Sequence, residues 1–295
     1  MRLAAFALAL CVVVAAVVIG PLFYGDVARW AVETQRAFQN EMAGAIRALR
    51  AGEPGALAAL MAAAAAYGFV HAVGPGHGKY LIGGVGLGTG VSAPRLVGLA
   101  AISSLAQALW AIVLVYGAFL LLEASAHHLT TLAEQWLAPA SYAAIALIGV
   151  LLALRGARGL WRHLEPRRTT HTTSCGCGHA HAPRAEEVAA LQSWRDTVAL
   201  VCSVAVRPCT GAVFLLVIAW QMDIQLAGAA AVITMGLGTA LMTSMVAVSS
   251  IAARGLAFAY SGSTGLMPIA APSLQLLAGL MIVWFSMALL RFALA

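Results

Sequence analysis

Residues 56–79 read ALAALMAAAAAYGFVHAVGPGHGK, an apolar run that ends in a Gly-Pro-Gly break with a histidine on either side. The run before the break has roughly the 20-residue length and the composition of a membrane-spanning helix. Ionisable side chains at membrane depth are costly and usually face a protein interior or a water-filled path. His71, His77 and Lys79 therefore indicate that this segment does more than anchor the chain.

The whole chain has the composition of a polytopic membrane protein. Of its 295 residues, 62% are hydrophobic and 9% are charged, and the mean hydropathy is +0.90. The 17 Lys and Arg and 11 Asp and Glu residues cluster between apolar runs, which excludes a soluble globular protein. Most of the net charge of +6 lies in loop arginines without interleaved aromatic residues, so no nucleic-acid partner is expected. The five cysteines do not form the pattern of a disulfide framework.

The apolar runs predict an all-α polytopic membrane protein with about seven transmembrane helices, at about 20 apolar residues per span. The first run could instead be a cleaved signal peptide, but it is longer than usual for one and we expect a retained helix. The predicted spans are residues 3–23, 56–75, 94–122, 139–155, 196–220, 224–252 and 272–292.

Loop charges orient these spans, because cytoplasmic loops are enriched in Lys and Arg. The arginine-rich stretch near 156–195 is then cytoplasmic, as is the N-terminus, and the C-terminus is periplasmic. The predicted units are an N-terminal transmembrane helix (1–25), a periplasmic amphipathic segment (26–55), a first three-helix half (56–155), a cytoplasmic His/Cys-rich loop (156–195) and a second three-helix half (196–295).

The two halves have opposite predicted orientations, and each opens with an interrupted helix. Gly74, Pro75 and Gly76 break the first, and Pro208 breaks the second, beside Arg207. Paired broken helices in inverted repeats are the best pointer in a sequence to a transporter's binding site. We therefore expect a substrate site where the two breaks meet.

His71 and His77 are the first candidate ligands at this site. In an unbroken helix, residues six apart are rotated by roughly 240° and separated by about 9 Å, so the two imidazoles could not share an ion. The Gly-Pro-Gly break removes that constraint. Neutral imidazole binds zinc, nickel, copper and cobalt. Two interpretations of Lys79 are possible. It is either a snorkelling anchor at the cytoplasmic end of the helix or a residue that takes part in gating.

Cys209 and Thr210 are the candidates from the second break. They offer a soft sulfur and a hydroxyl near the carbonyl that Pro208 frees, and with the histidines they would form a mixed N/S/O site for a borderline transition metal. The alternative is a buried structural cysteine. The third predicted helix of the first half contributes Gln107.

A third cluster lies in the predicted cytoplasmic loop, in the sequence HTTSCGCGHAH. Its spacing does not match a folded zinc finger, and it is typical of a flexible chelator of soft metals. The alternatives are a disordered linker, a sensor or a buffer. A loop that captures cytosolic metal would favour export. The candidate ligands are His171, Cys175, Cys177, His179 and His181.

The stretch from His71 to Lys79, the stretch VRPCTGA at residues 206–212 and the His/Cys loop resemble the NicO family of nickel/cobalt transporters, especially its efflux branch. The likeness runs from about residue 27 to the end. It implies a gradient-driven exporter of nickel and cobalt in a bacterial inner membrane, with the ions as substrates and no permanent cofactor.

Two departures bear on the substrate and the direction. Gly76 stands where the related signature of uptake permeases has Asp, which argues against high-affinity uptake. Gln107 stands where some members have His. A zinc-exporting branch is similar, so a zinc exporter and a nickel/cobalt uptake permease of the same fold are the alternatives.

The chain has no Walker-type loop or phosphorylated-Asp motif, so any pumping must draw on an ion gradient. We expect a transporter and not an enzyme. A function from a different class is a membrane thiol–disulfide electron carrier, because Cys209 follows a proline. Such carriers need a partner cysteine in the opposite half, and residues 56–75 contain none. The partners besides metal ions are the lipid bilayer and, through small-residue patterns that allow close helix packing, a second copy of the chain in a homo-oligomer.

Overall fold

A computed structural model describes residues 29–73, 77–122, 131–164, 194–262 and 267–294. Within these ranges the chain is helical and has no β-strand. A π-helical turn at Leu132–Leu137 precedes the fifth α-helix. The α-helices of these ranges are α1 (29–50), α2 (Ala56–Val73), α3 (His77–Gly88), α4 (Ala93–Leu122), α5 (Ala138–Leu164), α6 (Trp194–Ala205), α7 (Thr210–Gln221), α8 (Gln225–Gly262) and α9 (Met267–Leu294).

The predicted all-α polytopic membrane fold is confirmed. In the described ranges five helices are long and apolar enough to cross a membrane, and α6 with α7 makes a sixth span if the bent pair is counted as one. Each predicted span from 56–75 onward falls on one of these six. The first predicted span, 3–23, lies outside the described residues. The five single helices cover Ala56–Val73, Ala93–Leu121, Gln135–Arg162, Gln225–Ala259 and Ile269–Arg291.

Helix α1 ends in a glycine cap and packs onto the membrane helices. Gly52 takes a φ of 75°, and two hydrogen bonds close the helix end, from its amide to the Leu49 carbonyl and from the Glu53 amide to the Ala48 carbonyl. This is the Schellman arrangement, in which glycine accepts the left-handed conformation. The apolar face of α1 buries Met42 and Ile46 completely, in a cluster shared with α2, α4, α7 and α8. Full burial of each side chain contributes about 1.5–3 kcal/mol.

Helices α2 and α3 both pack against α8. In the contacts between these helices, a higher residue number in α2 or α3 pairs with a higher residue number in α8. Helices α2 and α3 therefore run in the same direction as α8. The sequence predicts a span that ends near residue 75, whereas the structure has a further 12-residue helix beyond the break. Lys79 therefore belongs to the first turn of α3. The contacts that show the common direction of α2, α3 and α8 are Met61 with Thr234, Ala65 with Gly238, Gly83 with Val246 and Gly86 with Ser250.

The crossing of α2 and α8 is a backbone contact. A Cβ at Gly68 would overlap the main-chain carbonyl of Met235, and one at Gly238 would overlap the carbonyl of Ala65. Small residues let transmembrane helices approach this closely. The hydroxyl of Thr239 donates to the carbonyl oxygens of Gly68 and Met235, both at 3.1 Å. This crossing fixes the register of the last turns of α2 against α8.

Candidate metal site

A small cavity lies among α2, α4, α7 and α8, where the C-terminal part of α2 approaches the start of α7. Its volume, counted as space for the centre of a water-sized sphere, is about 20 Å³. That exceeds the roughly 10–15 Å³ that one water molecule needs. Its wall combines nitrogen, sulfur and oxygen groups with small apolar residues. The lining residues are His71, Ser104, Gln107, Ala108, Cys209, Ala212, Val232, Met235, Gly236 and Thr239.

The ring of His71 is oriented by a residue of α1. Its Nδ1 lies 3.0 Å from the side-chain oxygen of Gln35, and the amide nitrogen of Gln35 donates to the Ala31 carbonyl at 3.0 Å. Because that second bond turns the amide oxygen toward the imidazole, Nδ1–H is the donor in this contact, and a neutral ring in this tautomer has its lone pair on Nε2. The neutral tautomer fixed in this way is the one that binds metal through Nε2. The ring also stacks on Tyr67, with centroids 5.7 Å apart.

The second interrupted helix bends by 59° between α6 and α7. Since Pro208 has no N–H and the helix stops, the carbonyls of Val206 and Arg207 need donors from elsewhere. Helix α4 supplies both: Trp110 Nε1 donates to Val206 at 2.9 Å, and Gln107 Nε2 donates to Arg207 at 2.7 Å. Gln107 thus joins the break to the cavity wall.

Cys209 occupies the N-cap position of α7. Its backbone is extended, with φ −73° and ψ 142°, and its carbonyl accepts hydrogen bonds from the amides of Ala212 and Val213 at 3.0 and 3.1 Å. The thiol lies on the cavity wall with its Sγ 3.6 Å from the Sδ of Met235. The break therefore places one soft donor directly beside another.

Arg207 is held away from the cavity. Its Nη1 donates a hydrogen bond to the hydroxyl of Tyr142 on α5, and its guanidinium carbon lies 4.9 Å from the centre of that ring. A permanent cation on the wall would repel a metal ion strongly at low dielectric. The contact with Tyr142 ties this guanidinium to α5, and Arg207 is not among the residues that line the cavity.

The structure brings together three of the predicted site residues, His71, Cys209 and Gln107. Thr210 begins α7 and is exposed, and it is not among the residues that line the cavity. His77 and Lys79 lie in the first turn of α3, with side chains outside the described part, and the roles predicted for all these residues stay predictions. Outside the described residues are Gly74, Pro75, Gly76 and the loop ligands His171, Cys175, Cys177, His179 and His181.

Four residues of the site were not predicted as part of it. Gln35 lies on a polar surface of α1, and Met235 has the type of a core residue, so neither carries a signal in the sequence. Ser104 and Thr239 stand in small-residue patterns of their helices, which is a weak signal. Across the described ranges, no group of three His, Cys, Asp or Glu residues gathers around one point.

Comparison with known proteins finds similarity to metal-transport proteins. Residues 57–175 match the NicO family model, described as a high-affinity nickel-transport protein. The chain is 28% identical over 246 residues to a Haemophilus influenzae protein named "Putative nickel/cobalt efflux system", which covers 77% of this chain and 74% of the relative. No solved structure matches. The chain, which has several helices able to span a membrane in its described ranges, is thus similar to NicO nickel-transport proteins over part of its length and to this relative over most of it.

Proposed function

We propose that this chain exports divalent transition-metal ions, nickel and cobalt first, across a bacterial inner membrane as a secondary transporter, and that the ions pass through the cavity. One observation carries the proposal: an imidazole and a thiol from two different interrupted helices line the same small cavity. Discontinuous helices that meet in the membrane are a recurrent way to build a substrate site in transporters.

The donor set supports a transition metal over a hard cation. Imidazole and thiol suit nickel, copper, cobalt and zinc, whereas magnesium and calcium prefer oxygen ligands such as carboxylates. Among the described residues, those that line the cavity include no Asp or Glu. A hard divalent ion would lose its hydration there without gaining compensating charge.

The lining also provides weak oxygen donors around the soft pair. Ser104, Gln107 and Thr239, whose side chains carry a hydroxyl or an amide, also line the cavity. Such neutral groups can replace part of an ion's hydration without binding it too tightly to leave. In this proposal His77, at the start of α3, receives the ion next, and Thr210 serves as a donor at the start of α7.

Export, rather than uptake, is supported by two features. The predicted cytoplasmic loop carries five soft donors between residues 171 and 181, which would concentrate metal at the inner mouth. The Haemophilus influenzae relative carries a name that specifies efflux. Zinc is the alternative substrate, because it accepts the same nitrogen and sulfur ligands.

The test is the metal content of cells that express the wild type or single variants. His71→Ala and Cys209→Ser should raise cellular nickel and cobalt to the level of cells without the protein. Cys202→Ser is the matched control, because this cysteine precedes the break on α6 and is exposed. It should leave metal content at the wild-type level.

Three results would contradict the proposal in different ways. Higher metal in wild-type cells than in the variants would mean uptake. A change for zinc alone would name a different substrate. Equal metal content in all cells, with the protein in the membrane, would remove the transport function itself.

A further inference from the structure

We propose that Met235 is a metal ligand, and that His71, Cys209 and Met235 form a three-donor N/S/S site for a thiophilic ion. The inference rests on the proposed function and deepens it by naming the donor set and the class of ion that the set prefers. It starts from the position of the thioether, which points at the same cavity as the imidazole and the thiol.

The two sulfur atoms are close enough to bind one ion. Cys209 Sγ and Met235 Sδ lie 3.6 Å apart, and metal–sulfur bonds of about 2.3 Å, as in zinc sites, allow both atoms to reach a common centre. Met235 is only 2% exposed, so its sulfur faces the protein interior. The thiol and thioether therefore form a preformed pair on one wall.

The third donor is held in register with that pair. His71 follows Gly68 by three residues on α2, and Gly68 contacts the main chain of Met235 directly. The Thr239 hydroxyl bonds the carbonyls of both residues. The crossing of α2 and α8 thus places the imidazole and the thioether at fixed positions, which is what a selective site requires.

A thioether changes the preference of the site. It is neutral and polarisable, and together with thiolate it selects soft ions such as Cu(I). Nickel and cobalt are borderline ions, for which imidazole and thiolate supply most of the affinity. Loss of the thioether should therefore weaken the binding of a soft ion more than the binding of a borderline ion. Ag⁺ is a redox-stable probe of the same class as Cu(I).

The experiment compares Met235→Leu with Met61→Leu in the purified full-length protein in detergent. Both methionines lie at the contact of α2 with α8, but Met61 contacts Thr234 and does not line the cavity. Leucine conserves volume, and such exchanges cost less than about 1.5 kcal/mol. Binding of Ag⁺, Ni²⁺ and Co²⁺ is measured by calorimetry for each variant and for His71→Ala.

We expect Met235→Leu to weaken Ag⁺ binding by about tenfold or more, which is the usual effect of losing an interaction at a metal site. The binding of nickel and cobalt should weaken less. Met61→Leu should bind as the wild type does. X-ray absorption of the nickel-loaded protein adds a readout that packing alone does not move: the sulfur shell should shrink in Met235→Leu and not in Met61→Leu.

An unchanged sulfur shell with equal affinities in the two leucine variants would overturn the proposal. If His71→Ala still weakened binding in that case, the proposed function would stand and Met235 would be a packing residue. If His71→Ala also bound normally, the cavity would not be the metal site, and the proposed function would fail with the inference.

Discussion

The side-chain oxygen of Gln35 lies 3.0 Å from Nδ1 of His71 and joins α1 to the wall of the cavity. The amide of Gln35 is itself fixed by its bond to Ala31. A helix that the sequence predicts as a surface segment therefore sets the tautomer of a candidate ligand. Residues that orient a metal-binding histidine in this way contribute strongly to affinity.

Replacement of Gln35 by Leu should weaken nickel and cobalt binding by about 10–100-fold. The imidazole would lose the acceptor that holds its proton on Nδ1, and Nε2 would no longer be presented with a fixed lone pair. Gln35→Glu should restore binding, because a carboxylate also accepts from Nδ1–H. Affinity is measured by calorimetry, with the Co²⁺ absorption spectrum as a readout of ligand geometry.

Asn40→Ala is the control on the same helix. Asn40 is an exposed amide, so its removal should leave affinity and spectrum unchanged. If the Gln35→Glu protein bound metal as weakly as the Gln35→Leu protein while both folded normally, the hydrogen bond to His71 would not be the reason for the lost affinity.

Gly68→Ala should destabilise the protein by about 1–3 kcal/mol, the usual cost of an overpacked contact. The new methyl group would overlap the main-chain carbonyl of Met235, and neither backbone can move away without separating α2 from α8. Thermal unfolding in detergent measures the effect. The cavity wall should also shift, with a loss of metal affinity.

Gly117→Ala on α4 serves as the comparison. A Cβ at this position meets nothing within 4 Å, and alanine favours the helix over glycine by roughly 0.5–1 kcal/mol. This variant should be as stable as the wild type or slightly more so. Equal destabilisation of Gly68→Ala and Gly117→Ala would contradict the proposed close crossing.

Gln107→Leu should cost about 1–3 kcal/mol of stability, because it leaves the carbonyl of Arg207 without its donor at a buried helix break. Gln107→Glu should be no better, since an ionised carboxylate has no hydrogen to donate. Thermal unfolding of both variants tests this. Gln107→His would be informative, because imidazole can donate one N–H to the carbonyl. An unchanged unfolding temperature in Gln107→Leu would show that the bond carries no stability.

The sequence predicts what is encoded locally. The positions of the membrane spans are predicted by the lengths of the apolar runs. The bend before Cys209 is predicted by Pro208, which has no N–H to continue the helix. Helix α3 was not predicted, because five of its residues in HGKYLIGGVGLG are glycine, a poor helix former in isolation. In the structure these glycines allow close packing: Gly84 lies against Ile282 on α9, and Gly86 lies against Ser250 on α8.

The parts of the site that the sequence does not predict depend on tertiary contacts. His71 and Cys209 are unusual in apolar segments and stand out by residue type. Gln35 and Met235 do not, because a glutamine on an amphipathic helix and a methionine in a membrane span are ordinary there. Their roles arise only when α1 and α8 pack against α2.

The loop predicted to be cytoplasmic gives the last prediction. Simultaneous replacement of Cys175, Cys177, His179 and His181 by Ser should raise the metal concentration needed for half-maximal export and leave the maximal rate unchanged. A chelating segment tethered at the entrance raises the local concentration of metal there, but in this proposal it takes no part in the passage through the membrane helices. The advantage of the loop should therefore vanish when metal is abundant.

Transport into inverted vesicles measures both quantities, with nickel titrated on the exposed cytoplasmic face. The control replaces Thr169, Thr170, Thr172 and Thr173 by Ser, which changes the same stretch of sequence without removing a soft ligand. A lower maximal rate in the Cys/His variant would place the loop in the translocation step itself. Unchanged kinetics at low nickel would exclude metal capture and leave the loop as a sensor, a buffer or a linker.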